Sequence, residues 1–99
     1  MKANVIGDIT VNDYERYKKY VAKAPDYVAR HNGNYLVRGG DVTVLEGDWS
    51  PSRVVVLEFP SMKSALAFIN DPEYQAVAVD RQEASNSRLI VVEGAAAAS

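Results

Sequence analysis

The sequence has no cysteine and a single histidine. Disulfide frameworks, thiolate zinc sites and cysteine nucleophiles are therefore excluded, and one imidazole cannot build a poly-histidine metal site. No charge of one sign prevails: 11 Lys plus Arg stand against 13 Asp plus Glu, a net charge of -2. That balance lacks the electrostatic footprint of a partner for nucleic acid or an anionic membrane. No apolar run approaches the roughly 20 residues that span a bilayer, and the start MKANVIGDIT has no signal-peptide apolar core. The expected location is cytoplasmic. Gly39-Gly40 has neither the following Lys nor the spacing of a phosphate loop, no G-x-S-x-G elbow occurs, and one His makes no credible Ser-His-Asp set. A haem iron would have to be held by His31 or a tyrosine, so the residues call for no cofactor and no metal.

What is present is 99 residues, 47% of them hydrophobic, enough for one small domain with a thin core. Ala3 to Val11 is rich in β-branched residues and ends at Asn12-Asp13, a strand followed by a helix cap. From Asp13 to His31, Tyr14, Tyr17, Val21, Ala24 and Val28 recur at spacings of three and four, the stripe of an amphipathic helix. Pro25 lies inside that stripe and predicts a kink or break near 20–24. Gly33 is the expected left-handed residue after the helix. Asn34 to Arg38 and Val42 to Glu46 read as extended, either as a tight hairpin or as one strand interrupted at Gly39-Gly40, the second being favoured by the clearer turn at 48–52.

Arg53 to Phe59 is the strongest strand and Pro60 stops it. Ser61 caps a helix to about Asn70, Asp71-Pro72 starts a further helical piece towards Arg81, Ser85-Asn86-Ser87 reads as a loop, and Arg88 to Glu93 is the last strand. The order β-α-β-β-α-β predicts an α+β, ferredoxin-like sandwich with one antiparallel sheet, residues 1–94 forming a single domain and 95–99 a flexible tail.

Val54 to Leu57 and Leu89 to Val92 are uninterrupted apolar runs, so both strands are apolar on both faces. Two helices cover one face only. A second copy is expected to cover the other, sheet to sheet, in a homodimer.

The residues also resemble a known family. Gly33-Asn34-Tyr35-Leu36-Val37-Arg38-Gly39-Gly40, Leu45-Glu46-Gly47-Asp48-Trp49, Val54-Val55-Val56-Leu57-Glu58-Phe59-Pro60, Asp71-Pro72-Glu73-Tyr74-Gln75 with Arg81, and Val92-Glu93-Gly94 resemble, in order and across residues 3 to 94, the domain of unknown function family 1330. The resemblance implies a dimeric α+β barrel, in which ferredoxin-like protomers pair their sheets. Relatives in that superfamily include cofactor-independent monooxygenases, isomerases and haem enzymes, and a shared fold carries none of those activities by itself. Asn32-Gly33-Asn34 departs from the commoner His-Gly-Gly, and Ile69 stands where an aromatic residue is usual.

Each candidate for chemistry has a plainer reading beside it. His31 is the one side chain that titrates near neutrality unperturbed and is the first candidate for general acid–base work, although its place in the last turn of the helix, where a cation suits the helix dipole, is the favoured reading. Arg38 precedes a glycine gap and could clamp a carboxylate or phenolate, or pair with an acid of the sheet. Glu58 interrupts an apolar strand on the face of Val54 and Val56, which is expected to be buried. It is a second catalytic candidate, or the partner of Arg38 or Arg88. Trp49, the only Trp, covers a barrel mouth or plugs the core or the dimer interface. Tyr17 belongs to a helix carrying four of the six tyrosines, which line a ligand site or pack a core; Tyr74 and Arg81, just under two turns apart, either join that site or pin their helix to the sheet.

Two functions follow. One is a homodimer binding a small aromatic or carboxylated metabolite between helices and sheet, with monooxygenase-like or isomerase-like chemistry, in a cavity of a few hundred Å³. The other is a non-catalytic dimeric interaction protein with no small-molecule site.

Overall fold

The computed structural model describes residues 1–96, so residues 97–99 of the expected 95–99 tail lie outside the described residues. Its strands are β1 (Ala3–Val11), β2 (Asn34–Arg38), β3 (Arg53–Phe59) and β4 (Ser85–Glu93); its helices are α1 (Tyr14–Arg30), α2 (Met62–Ile69) and α3 (Pro72–Ala84). The four strands form one antiparallel sheet in the order β2-β3-β1-β4. This is the ferredoxin-like α+β arrangement.

Strand parity decides what lies under the helices. In β1 the residues Ala3, Val5, Gly7 and Ile9 are buried, and their partners in β3 are Phe59, Leu57, Val55 and Arg53. That face joins Val28 of α1 with Ala65, Phe68, Tyr74 and Ala78 of α2 and α3 in one core, where the Phe68 ring lies 5.1 Å from Phe59 and 4.1 Å from Tyr74. The opposite face carries Ile6, Val54, Val56, Ile90 and Val92 and meets no helix. Ile90 is 59% exposed there.

Several local expectations change. Helix α1 runs without a break through Pro25, capped by the Asp13 carboxylate on the Arg16 N–H. Pro25 has no N–H for the carbonyl four residues earlier, that of Val21. Arg38 Nη2 donates to that carbonyl at 3.0 Å, supplying the missing bond from outside the helix. The left-handed residue after α1 is Asn32, with φ 63°, rather than Gly33. Gly33 is needed for space, since a Cβ on it would come within 2.5 Å of the Phe59 ring and 2.9 Å of Val28.

Val42–Glu46 does not continue β2. Arg38 already pairs with Val55 near the start of β3 and the Gly39 N–H bonds Val54 O, so a longer β2 would have no facing residues within the protomer. Ser85–Ser87 is strand rather than loop. The Ala84 carbonyl accepts from the N–H groups of Asn12 and Asp13, Ser85 Oγ donates to Arg81 O at 2.5 Å, and 85–87 pair at once with Val11, Thr10 and Ile9.

Candidate functional site

A cavity lies between the helix-facing side of the sheet and helices α1 and α3. Its apolar walls come from Val5, Ile9, Val55 and Leu57, and its polar lining from tyrosines and three arginines. The tyrosines are Tyr17, Tyr20, Tyr35 and Tyr74; the arginines are Arg38, Arg53 and Arg81. Among the described residues no carboxylate lines it.

Each arginine is placed by its element. Arg38 ends β2, reaches Val21 O in α1 and lies over the Tyr35 ring at 4.6 Å. Arg53 starts β3 and donates from Nε to the Tyr17 hydroxyl at 3.1 Å. Its guanidinium occupies the room left by Gly39, whose φ of 71° also requires a residue without Cβ strain. Arg81 comes from α3, donates from Nη1 to Ser87 Oγ at 2.6 Å, and lies 5.5 Å over the Tyr20 ring. It is only 7% exposed, and its Nε–H is buried with no partner. A guanidinium cannot shed its proton, so Arg81 holds a full charge in a site that gives it one hydroxyl and one aromatic face. Among the described residues none of these three arginines has an acidic partner within ion-pair distance.

At the centre, the Tyr20 and Tyr74 hydroxyls meet at 2.8 Å. Burial, and then the neighbouring Tyr74 hydroxyl, push the Tyr20 phenol above its ordinary range, and burial does the same for Tyr35. The Tyr20 and Tyr35 phenols stay protonated at neutral pH and do not act as bases there. The free space among them is about 30 Å³, room for about one water molecule. That is far below the few hundred Å³ expected, because Arg53, Tyr17 and Tyr20 fill the volume.

Of the residues singled out from the sequence, Tyr17, Arg38, Tyr74 and Arg81 line this cavity, and His31, Glu58 and Trp49 do not. His31 caps the end of α1, where its Nε2 lies 2.8 Å from Asp71 Oδ2 and its ring meets the Phe68 ring edge-on. Asp71 also accepts from Arg30 and from the Glu73 backbone N–H, as the N-cap of α3. The His31 hydrogen bond, against a smaller burial effect and with help from Glu73 N–H and Arg30, holds the Asp71 carboxyl at about 2. Glu58 sits on the uncovered face of the sheet and pairs with Lys2 at 3.2 Å, not with Arg38 or Arg88. Trp49 crosses the same face and donates from Nε1 to Asp8, which Arg88 also binds. Those two bonds, Arg88 first, hold the Asp8 carboxyl below its usual range.

Arg53 and Tyr35 also line the cavity and were missed from the sequence, and Tyr20 was read there only as one of the four tyrosines of its helix. The parity of Arg53 with Val55, Leu57 and Phe59 carried the signal, but Glu58 drew attention to the other face. Among the described residues no cluster of His, Asp and Glu could hold a metal, and no helix is long and apolar enough to cross a membrane.

Comparison with known proteins agrees with the fold. The family described as Domain of unknown function (DUF1330) matches residues 2–95. No curated protein matches the chain. Among solved structures, a protein of unknown function from Rhodopseudomonas palustris superposes with a TM-score of 0.76 at 22% identity, covering 96% of this chain and 83% of that one. SnoaB, a cofactor-independent oxygenase from Streptomyces nogalater, gives a TM-score of 0.70 at 14% identity over 96% of this chain and 94% of its own. An ethyl tert-butyl ether d (ethd) family protein from Bacillus halodurans gives 0.60 at 12% identity, covering 96% of this chain and all of that one, 100%. At these identities the likeness is one of fold.

Proposed function

The chain belongs to the DUF1330 family, and from that premise we propose that it is a cytoplasmic homodimer binding a small aromatic or carboxylated metabolite between its helices and sheet. The observation that carries the reading is Arg81, a cation 7% exposed with a donor left unmet and no acid beside it. Burying an unpaired charge is expensive, and a bound carboxylate or phenolate removes much of that cost. Arg38 and Arg53 add positive potential, and Tyr17, Tyr20 and Tyr74 offer aromatic faces and hydroxyl groups. Arginines and protonated phenols around an apolar space stabilise an oxyanion wherever one develops, which suits the monooxygenase-like or isomerase-like chemistry considered from the sequence. SnoaB, of the same fold, is a cofactor-independent oxygenase.

A thermal-shift series over aromatic and carboxylic metabolites tests this. A ligand of the native state raises the melting temperature with concentration, by the equivalent of about 2.7 kcal/mol at a hundred times its Kd. The reading predicts such rises for acids among the set; a flat series at millimolar concentration contradicts it.

The small free volume favours a second reading, a dimeric interaction protein in which the tyrosines and arginines only fill the core. On that reading Glu58→Gln weakens the dimer and no metabolite shifts the melting temperature.

A further inference from the structure

Arg81 bounds two spaces. On one side is the tyrosine cavity, and on the other, along the edge strand β4, a groove of about 570 Å³ opens between β4 and α3. Ile69, Ala78 and Leu89 give the groove apolar sides, Gln75 and Gln82 its rim, and Tyr74 and Arg81 are shared with the inner cavity.

The inner cavity of about 30 Å³ admits no organic molecule as it stands, whereas the groove has the size usual for small-ligand sites, about 300 to 1,000 Å³. Among the described residues no acidic side chain lines it, and Arg81 is its one cation. Arg81 Nη1 is engaged by Ser87, which leaves the Nε–Nη2 edge, the side-on fork that carboxylates use. Nε–H is at present shut off from water and unpartnered. A small shift of the guanidinium onto a carboxylate in the groove gives that donor the acceptor it lacks.

We infer that the ligand's apolar body lodges in the α3/β4 groove and that its carboxylate is taken by Arg81, with Ser87 positioning the guanidinium. The inference rests on the small-molecule reading above and adds to it the route of entry and the group recognised.

The test is amide NMR on the isotope-labelled protein, titrated with 4-phenylbutyrate and with its neutral counterpart 4-phenylbutyramide. Saturable shifts are expected at Ile69, Ala78 and Leu89 with the acid, with binding of the amide weaker by about tenfold or more, since the amide carries no charge and offers the guanidinium fork one acceptor oxygen in place of two. Arg81→Gln is expected to weaken the acid to the level of the amide. Because Arg81 is buried and that variant could unfold, Gln82→Trp is the companion: an exposed rim residue enlarged into the groove, expected to abolish binding at an unchanged melting temperature. Equal binding of acid and amide, or full binding by Gln82→Trp, overturns the inference. Shifts centred on Val21, Arg38 and Gly39 instead overturn the route while leaving the cavity reading intact. No saturable shift anywhere also overturns it, and the metabolite series decides the broader reading separately.

Discussion

At the scale of single residues, the site depends on two compensations that join distant parts of the chain. Pro25 removes a donor from α1, and Arg38 supplies one to the stranded Val21 carbonyl. Gly39 removes a side chain, and the Arg53 guanidinium takes its place. Replacing Pro25 by Ala restores the N–H that the helix lacks and relieves the ring's conflict with the preceding turn. Pro25→Ala is expected to stabilise the fold by about 1 to 3 kcal/mol in urea unfolding, with an unchanged m-value. A loss of stability would mean that α1 depends on the proline for its shape. The proline itself was plain in the sequence. Its repair was not, because Arg38 lies 17 residues from Val21 and the contact exists only once β2 packs beside α1.

At the scale of elements, the end of α1 is tied to the start of α3 by His31, Arg30 and Asp71. The carboxyl of Asp71 titrates at about 2 against an ordinary 3.8. A depressed folded-state value means that the ionised form favours folding. Its contribution is complete above about pH 4 and is lost as pH falls towards about 2. The difference in urea midpoint between wild type and Asp71→Asn, which keeps a capping side chain, is expected to be constant above that window and to shrink within it. A difference independent of pH would contradict the assignment.

The same ties explain what could be read in advance. The helix stripe of α1, the caps at Ser61 and Asp71, and the element order are local patterns and were legible. Glu58 was placed correctly with Val54 and Val56, but that face is the uncovered one, because only the helices decide which side of an apolar strand is inside. Val42–Glu46 has the composition of a strand and lacks a neighbour to pair with. Ser85–Ser87 looks like a loop and is held in the sheet by the length of β1.

At the scale of the whole molecule, the uncovered sheet face sets the quaternary state we propose. Val37, Ile90 and Val92 are exposed on it, and Val42, Val44 and Leu45 are exposed in the adjoining connection, Leu45 at 93%. An apolar area of that kind is unusual for a monomer and suits a second sheet. Light scattering at micromolar concentration is expected to give twice the chain mass of 10.8 kDa. Ile90→Lys, which sets a charge on this face without touching the core, is expected to give monomers. A wild-type monomer would remove the dimer from the proposal and leave the cavity.

The proposed function stands on one claim, that the cationic, acid-free space around Arg81 is completed by an anionic ligand. Its most direct test is the melting temperature of the wild type and of Arg81→Gln, side by side, against matched aryl carboxylates and their amides. Larger rises with the acids than with their amides in the wild type, reduced to the level of the amides in Arg81→Gln, are the predicted result; acids and amides acting alike, or the variant responding as the wild type does, would contradict it.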